Sequence, residues 1–255
     1  MKGALHCLEN IALRFSPIGN TMAALTGLLV FSAITACGQV VLDNFSTSNE
    51  SKYDFVPVFG NPSDGWSVTA GELRPSIGSG GSATWLWKPG EKLSATGDSV
   101  SISLSLPAGV YNALPTSIGL FVAADTALSG GHFITQSTFQ GGWGYGVDSD
   151  NTIAASPPSG PVQLTIQRTG QQTVDGFVYT VSFSGGGLPS PISNFFIEPS
   201  ASLLFGPFAE NTAGTPAALD NLTFTAVPEP SMYAAVFGFL ALAMAIIRTR
   251  TVRLV

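Results

Sequence analysis

The chain of 255 residues is 45% hydrophobic and only 10% charged, with a net charge of −6. Between Gln39 and Val227 it has fourteen acidic residues against five basic ones, so this segment carries a charge of −9. Nucleic-acid binding needs a basic footprint, and this composition excludes nucleic acid as a partner. About 190 residues are enough to bury one sizeable core, which predicts a single domain at 39–226.

The first 38 residues have the features of a secretory signal peptide. Lys2 and Arg14 supply positive charge, and no charged residue occurs from Phe15 to Ala36. The small residues around Gly38 suit cleavage after that position. We therefore expect a chain that is exported through the inner membrane and whose mature form begins at Gln39.

Both cysteines of the chain, Cys7 and Cys37, lie in this leading segment. The mature body then has neither a disulfide nor a cysteine-bound metal. The stretch Ile34-Thr35-Ala36-Cys37 also resembles the lipobox of bacterial lipoproteins, in which Cys37 would carry a lipid. Simple cleavage and lipidation of Cys37 stay open as alternatives.

From Val40 to Ala226 the sequence is a series of short apolar runs separated by Gly, Pro, Asn, Asp and Ser. Alternation is clearest at 99–106, where the apolar residues share one strand face and the serines share the other. Other runs with strand character lie at 83–87, 118–123, 132–139, 162–166, 177–183, 202–208 and 219–224. About eleven to thirteen such strands predict an all-β fold, a two-sheet antiparallel sandwich of jelly-roll type.

A similar tetrapeptide occurs near each end of this region. Leu42-Asp43-Asn44-Phe45 is echoed by Leu219-Asp220-Asn221-Leu222. We predict that these are the first and last strands and that they lie side by side in one sheet. This terminal closure resembles concanavalin-like and laminin-G-like sandwiches. The Asp and Asn side chains of both segments also form one candidate oxygen cluster for calcium.

His132 is the only histidine outside the leading segment, and catalysis by a Ser-His-Asp triad would have to use it. No Gly-x-Ser-x-Gly elbow accompanies it, so we interpret His132 as a bystander. One histidine without cysteines also cannot assemble the usual zinc site. The acidic motif of jelly-roll glucanases is missing as well. We therefore expect no catalytic residue, no zinc site and no enzymatic activity.

Two further groups of residues are candidates for ligand binding. Asp148 and Asp150 stand at a turn after a strand, where their oxygens suit calcium, although such residues are usually turn formers. The aromatic residues Trp85, Trp87, Trp143 and Tyr145 could stack on sugar rings. The pair Trp85 and Trp87 is the better sugar platform if the intervening leucine points inward, whereas aromatics in a sandwich mostly fill the core. The glycine-rich stretch 141–146 lacks the helix and lysine of a phosphate loop.

The last residues, 227–255, are the most distinctive stretch of the chain. They begin with Val227-Pro228-Glu229-Pro230-Ser231, continue through an uncharged apolar run at 232–247, and end with Arg248, Arg250 and Arg253. A helix over the apolar run would be roughly 24 Å long, and snorkelling arginines extend it towards a bilayer core of about 30 Å. The sequence therefore predicts a C-terminal transmembrane helix with cytoplasmic arginines in the tail 248–255.

This order of motif, helix and basic end resembles the PEP-CTERM sorting signal of Gram-negative bacteria. In that family an exosortase recognises the Pro-Glu-Pro motif and removes the helix, and the protein reaches the cell surface or the medium, often alongside exopolysaccharide. The resemblance implies that an exosortase and the inner membrane are partners of this chain. A plain membrane anchor that nothing processes is the alternative reading.

Three hypotheses for the body follow. The first is an exported, non-enzymatic surface or extracellular-matrix protein; the second is a polysaccharide-active enzyme delivered by the same tail; the third is a carbohydrate-binding module. The missing catalytic motifs favour the first over the second. A pair of exposed tryptophans would favour the third.

Overall fold

A computed structural model describes residues 39–47, 50–60, 62–63, 65–106, 115–139, 142–148, 150–154 and 157–227. The chain divides into two compact units, Met1–Gly38 and Gln39–Val255, and the described residues all belong to the second. The predicted signal peptide, the Cys37 alternatives, and the tail from Pro228 with its helix and arginines lie outside the described residues. In the described part of the chain, no helix is long and apolar enough to cross a membrane.

The described residues form fifteen strands and one 3₁₀ turn at Glu50–Lys52. In chain order the strands are β1 (Gln39–Asp43), β2 (Tyr53–Phe59), β3 (Ser67–Thr69), β4 (Glu72–Arg74), β5 (Ser82–Trp87), β6 (Ser99–Ser105), β7 (Thr116–Ala123), β8 (His132–Phe139), β9 (Gly142–Val147), β10 (Asp150–Ala154), β11 (Val162–Gln172), β12 (Phe177–Gly185), β13 (Ile192–Glu198), β14 (Leu204–Glu210) and β15 (Ala218–Thr225). The predicted all-β architecture is confirmed for this part of the chain.

The strands form two antiparallel sheets. Sheet A has eight strands in the order β13-β12-β11-β6-β15-β4-β3, with β1 also paired to β15, and sheet B has seven in the order β10-β9-β8-β7-β14-β5-β2. Val40 lies opposite Phe224, so the prediction that the first and last strands are neighbours is confirmed. The body therefore closes on itself between its own two ends.

The core lies between the sheets, and strand β6 shows how the sequence specifies it. Val100, Ile102 and Leu104 are completely buried, whereas the serines between them are partly exposed. Because successive side chains of a strand point to opposite faces, this alternation places the apolar half inside and the hydroxyl half outside. The predicted faces of 99–106 are confirmed.

The outer face of sheet A continues the pattern seen on β6. Register places Ser101 beside Thr165 of β11 on one side and Thr223 of β15 on the other. The hydroxyl oxygens of Ser101 and Thr223 are 2.6 Å apart, and the Gln39 amide donates to Thr223. This uncharged hydroxyl and amide surface is the wet side expected of an antiparallel sheet.

Strand β9 carries large aromatic side chains on one face and glycines on the other. Trp143 and Tyr145 are 1% and 0% exposed and belong to the core, so the glycines that alternate with them occupy the other face of sheet B. A Cβ built on Gly146 would overlap the carbonyl oxygen of Asp150, and one built on Gly119 of β7 would overlap that of Ile134. These glycines are therefore required by close backbone approach, not by turns.

Candidate functional site

A cleft of about 490 Å³ lies at the end of sheet B where β5 and β7 finish and β2 and β14 begin. Its apolar floor contains Leu86, Trp87 and Leu204. Its charged wall contains Asp54, Lys88, Lys92 and Asp125. We call it the lysine cleft. Its volume lies within the range of small-ligand sites in proteins.

The floor of the lysine cleft is held by contacts around Trp87. Its indole Nε1 donates a 2.8 Å hydrogen bond to Glu91 Oε2, and the Lys52 ammonium lies 5.6 Å from the ring centroid. The backbone amide of Lys88 donates to the carbonyl oxygen of Lys52, which ties the segment after β5 to the turn before β2. The cleft is therefore built on fixed strand ends.

The wall of the cleft carries two ammonium groups and two carboxylates. Lys88 Nζ lies 3.0 Å from Asp54 Oδ1, and both side chains are substantially exposed, so this pair contributes little to stability. Asp125 Oδ1 accepts hydrogen bonds from the amides of Ala127 and Ser129. Lys92 is exposed and forms no ion pair with another described residue.

The hydrogen bonds to Asp125 define its chemical role. The amide of Ser129 is the main cause that holds the pKa of Asp125 below its ordinary value, because it stabilises the charged carboxylate. A general acid for glycoside hydrolysis needs a raised pKa instead. Asp125 can therefore accept hydrogen bonds from a ligand, but it is unsuited to donate a proton.

Of the two alternatives for Trp85 and Trp87, the structure shows core packing and not indoles on the outer face. They are 3% and 4% exposed and lie in the main core, while Leu86 between them points to the other face. Trp85 stacks between Tyr53 at 5.2 Å and Trp66 at 5.5 Å. Trp87 nevertheless lines the floor of the lysine cleft, where its polar edge is already bonded to Glu91.

The structure also assigns partners to the predicted calcium ligands. Asp148 Oδ2 lies 2.7 Å from His132 Nδ1, and its Oδ1 accepts a hydrogen bond from the Phe133 amide, so this carboxylate is not directed to a shared site with Asp150. Among the described residues, no group of three or more His, Cys, Asp or Glu is placed to hold a metal ion. The prediction of a calcium site at Asp148 and Asp150 thus finds no support.

The second candidate oxygen cluster is also divided between separate environments. Buried Asp43 accepts hydrogen bonds from the Tyr53 hydroxyl and the Phe45 amide, and burial raises the pKa of Tyr53. Asp220 instead accepts from the amide and the side chain of Asn221, and its own pKa is raised mainly by desolvation. The two aspartates therefore act as local structural acceptors on neighbouring strands.

His132 is held between carboxylates from both sheets. Its Nδ1 faces Asp148, in the turn that follows β9 of sheet B, and its Nε2 lies 3.4 Å from Glu198 Oε2 at the end of β13 in sheet A. The ring also packs on Phe196 at 4.6 Å. Since both ring nitrogens face carboxylates, neither is free to serve as a base for a hydroxyl nucleophile. His132 is a link between sheets.

The link predicts a pH-dependent contribution to folding stability. The hydrogen bond with Asp148 is the main cause that raises the pKa of His132 above 6.5. The stabilisation is therefore complete below the unfolded pKa and is lost as pH rises through the raised pKa. We expect His132→Gln to lower the free energy of unfolding by about 1 kcal/mol at about pH 5.5, and by clearly less at about pH 8.5.

Urea denaturation at both pH values measures this difference. Asp54→Asn, which alters an exposed carboxylate on the edge strand β2, four strands from β8 in sheet B, is the control for general charge effects. An equal loss at both pH values in His132→Gln would show that the imidazolium form does not stabilise the link.

Sequence reasoning did not find the lysine cleft or the Glu198 contact. The cleft joins residues from the ends of four strands, and Glu198 belongs to the opposite sheet from His132. The one available signal is composition, because three of the five basic residues of the body, Lys52, Lys88 and Lys92, occur before or just after two paired strands.

No protein-family profile and no curated protein matches this chain. Solved structures similar to it include the winged bean acidic lectin complexed with methyl-α-D-galactose, at 11% identity and a TM-score of 0.48, covering 74% of this chain and 98% of that one. Another is the lectin from Bauhinia forficata in complex with GalNAc, at 10% identity and a TM-score of 0.44, covering 74% and 96%. The potassium-bound carbohydrate recognition domain of Emp46p has 7% identity and a TM-score of 0.41, covering 72% and 94%.

Proposed function

We propose that this protein is an exported, non-enzymatic protein of the cell surface or extracellular matrix. Its β-sandwich is the mature body, and the C-terminal tail is a sorting signal that an exosortase recognises and cleaves. The leading segment directs export through the inner membrane, and the apolar run at 232–247 anchors the chain until it is processed.

The limits of the sandwich are the observation that carries this proposal. The first strand begins at Gln39, directly after the predicted signal peptide, and the last strand ends at Thr225, two residues before the sorting motif. These two strands pair with each other, so the two ends of the described body lie side by side in sheet A.

The junction between body and tail has a defined attachment. The amide of Val227 donates a 3.0 Å hydrogen bond to Oδ1 of buried Asp98. Asp98 Oδ2 accepts from the amides of Ser94 and Ala95, so the carboxylate is itself fixed. This attachment supports a sorting motif that starts where the body ends.

Carbohydrate binding is the second candidate function, and the lysine cleft favours it. The cleft offers both hydrogen-bond donors and acceptors above an apolar floor, which suits a hydroxyl-rich ring. The lowered pKa of Asp125 keeps it in the charged form, which suits acceptance of a hydrogen bond from a sugar hydroxyl. The body would then act as a polysaccharide-binding module delivered by the same tail.

Intact mass of the mature protein from its native host, together with cell fractionation, tests the sorting proposal. We expect a mass that begins at Gln39 and ends between Val227 and Ser231, with the protein at the surface or in the medium. A mass that begins at lipidated Cys37 would show that the chain is a lipoprotein, instead of being cleaved before Gln39.

The matched control replaces Pro228, Glu229 and Pro230 by alanine and leaves the apolar run and the arginines unchanged. This variant should keep its C-terminus through Val255 and stay in the inner membrane. If the natural chain also keeps Val255 in the inner membrane, the tail is a plain anchor and the sorting proposal fails.

A further inference from the structure

The cations of this acidic body are concentrated at one place. Of the five basic residues between Gln39 and Val227, Lys88 and Lys92 line the lysine cleft and Lys52 lies over the Trp87 ring at its floor. The other two are engaged elsewhere: Arg74 pairs with Glu72, and Arg168 lies 4.5 Å from the Phe177 ring. Three of the five cations of a body whose net charge is −9 thus lie at the lysine cleft, where the carboxylates of Asp54, Glu91 and Asp125 balance their charge.

The carboxylates near these lysines already have partners. Asp54 faces Lys88, Glu91 accepts from the Trp87 indole, and Asp125 accepts from two backbone amides. The ammonium group of Lys92 has no such counter-ion among the described residues. An unpaired cation beside an apolar floor is suited to a ligand anion.

The two wall carboxylates restrict what kind of anion fits. Asp54 and Asp125 would repel a densely charged ligand such as a nucleic acid or a polyphosphate, and the net charge of the body adds to that repulsion. A ring with one carboxylate and several hydroxyls would instead use every group of the wall. The ammonium groups meet its carboxylate, and the wall carboxylates accept from its hydroxyls.

We propose that the lysine cleft binds uronate residues of an acidic polysaccharide. This inference rests on the second candidate function and names its ligand class. Lys92 and Lys88 hold the uronate carboxylate, Asp54 and Asp125 accept from ring hydroxyls, and the partly exposed Leu204 contacts the C–H face of the sugar. The cleft therefore favours a sugar that carries one carboxylate per ring over both a neutral sugar and a polyanion.

Calorimetric titration of the purified mature protein tests the inference, with trigalacturonate as the acidic probe and galactotriose as the matched neutral probe. We expect trigalacturonate to bind at least about ten-fold more tightly, which corresponds to about 1.4 kcal/mol. The double variant Lys88→Gln/Lys92→Gln should lose that preference. Arg74→Gln makes the same kind of charge change outside the cleft and should leave the affinity within about two-fold.

Salt gives a second readout that needs no variant. Binding of trigalacturonate should weaken as sodium chloride is raised, whereas any binding of galactotriose should not. Equal affinity for the two probes, or an unchanged preference in the double variant, would overturn the uronate assignment while leaving neutral-sugar binding intact. Binding of neither probe would overturn it as well, and the sorting proposal would still be decided by the intact mass.

Discussion

Replacing Gly119 with alanine is expected to destabilise the protein by about 4 kcal/mol or more, which is exceptional for a single methyl group. Gly119 lies in β7, between β8 and β14 in the middle of sheet B. A Cβ at this position would overlap the Ile134 carbonyl oxygen on the neighbouring strand. Because that oxygen belongs to the backbone of a central strand, relief requires the ladder itself to move.

Urea denaturation of the purified body measures the loss. The matched control is Gly78→Ala, because a Cβ on Gly78 has no atom within 4 Å and its backbone is not left-handed. The control should change the free energy of unfolding by no more than about 0.5 kcal/mol. If Gly119→Ala were as mild as the control, the close approach of β7 and β8 would be refuted.

The sequence predicts a strand best where one face of the strand is buried and the other is exposed to solvent. The alternation of β6 has an apolar half under the core and a serine half in water, so both the strand and its orientation follow from the pattern. The short strands β3 and β4 have three residues each and show no period. Strand β2 contains Pro57, which sequence reasoning treats as a break but which an edge strand tolerates.

The orientation of β5 could not be read from its sequence. Every residue of this strand is buried, so apolar residues occupy both of its faces. Leu86 packs with Phe121 and Phe208 in a small cluster on one side, while Trp85 and Trp87 enter the main core on the other. Period-two alternation identifies two faces, but it does not say which of two apolar faces points inward.

The candidate site could not be predicted from the sequence for a related reason. Lys88 and Lys92 both follow β5, but Asp54, Asp125 and Leu204 join them only because β2 and β5 pair, with Asp54 opposite Leu86, and because β14 begins beside the end of β7. Which strands pair across long stretches of sequence depends on the topology of the fold, and local sequence patterns do not reveal it. The similar tetrapeptides at Asp43 and Asp220 correctly predicted that the first and last strands pair. The two aspartates nevertheless accept hydrogen bonds from different partners and share no metal site among the described residues.

The burial of Trp85 leads to the second large effect that we expect. Trp85→Ala should lower the free energy of unfolding by about 3–5 kcal/mol, because it removes a large core side chain and leaves a cavity. The indole stacks on Tyr53, whose hydroxyl bonds buried Asp43, and Asp43 in turn accepts from the Phe45 amide. The loss should therefore extend from the core to the junction after β1.

Phe195→Ala is the matched aromatic control, since Phe195 is 60% exposed on the outer face of sheet A. It should change the stability by no more than about 0.5 kcal/mol. Saccharide binding by folded Trp85→Ala, measured at a temperature below its transition, should equal that of the natural protein. Unchanged stability with lost saccharide binding would instead make Trp85 an exposed sugar platform, which its packing between Tyr53 and Trp66 contradicts.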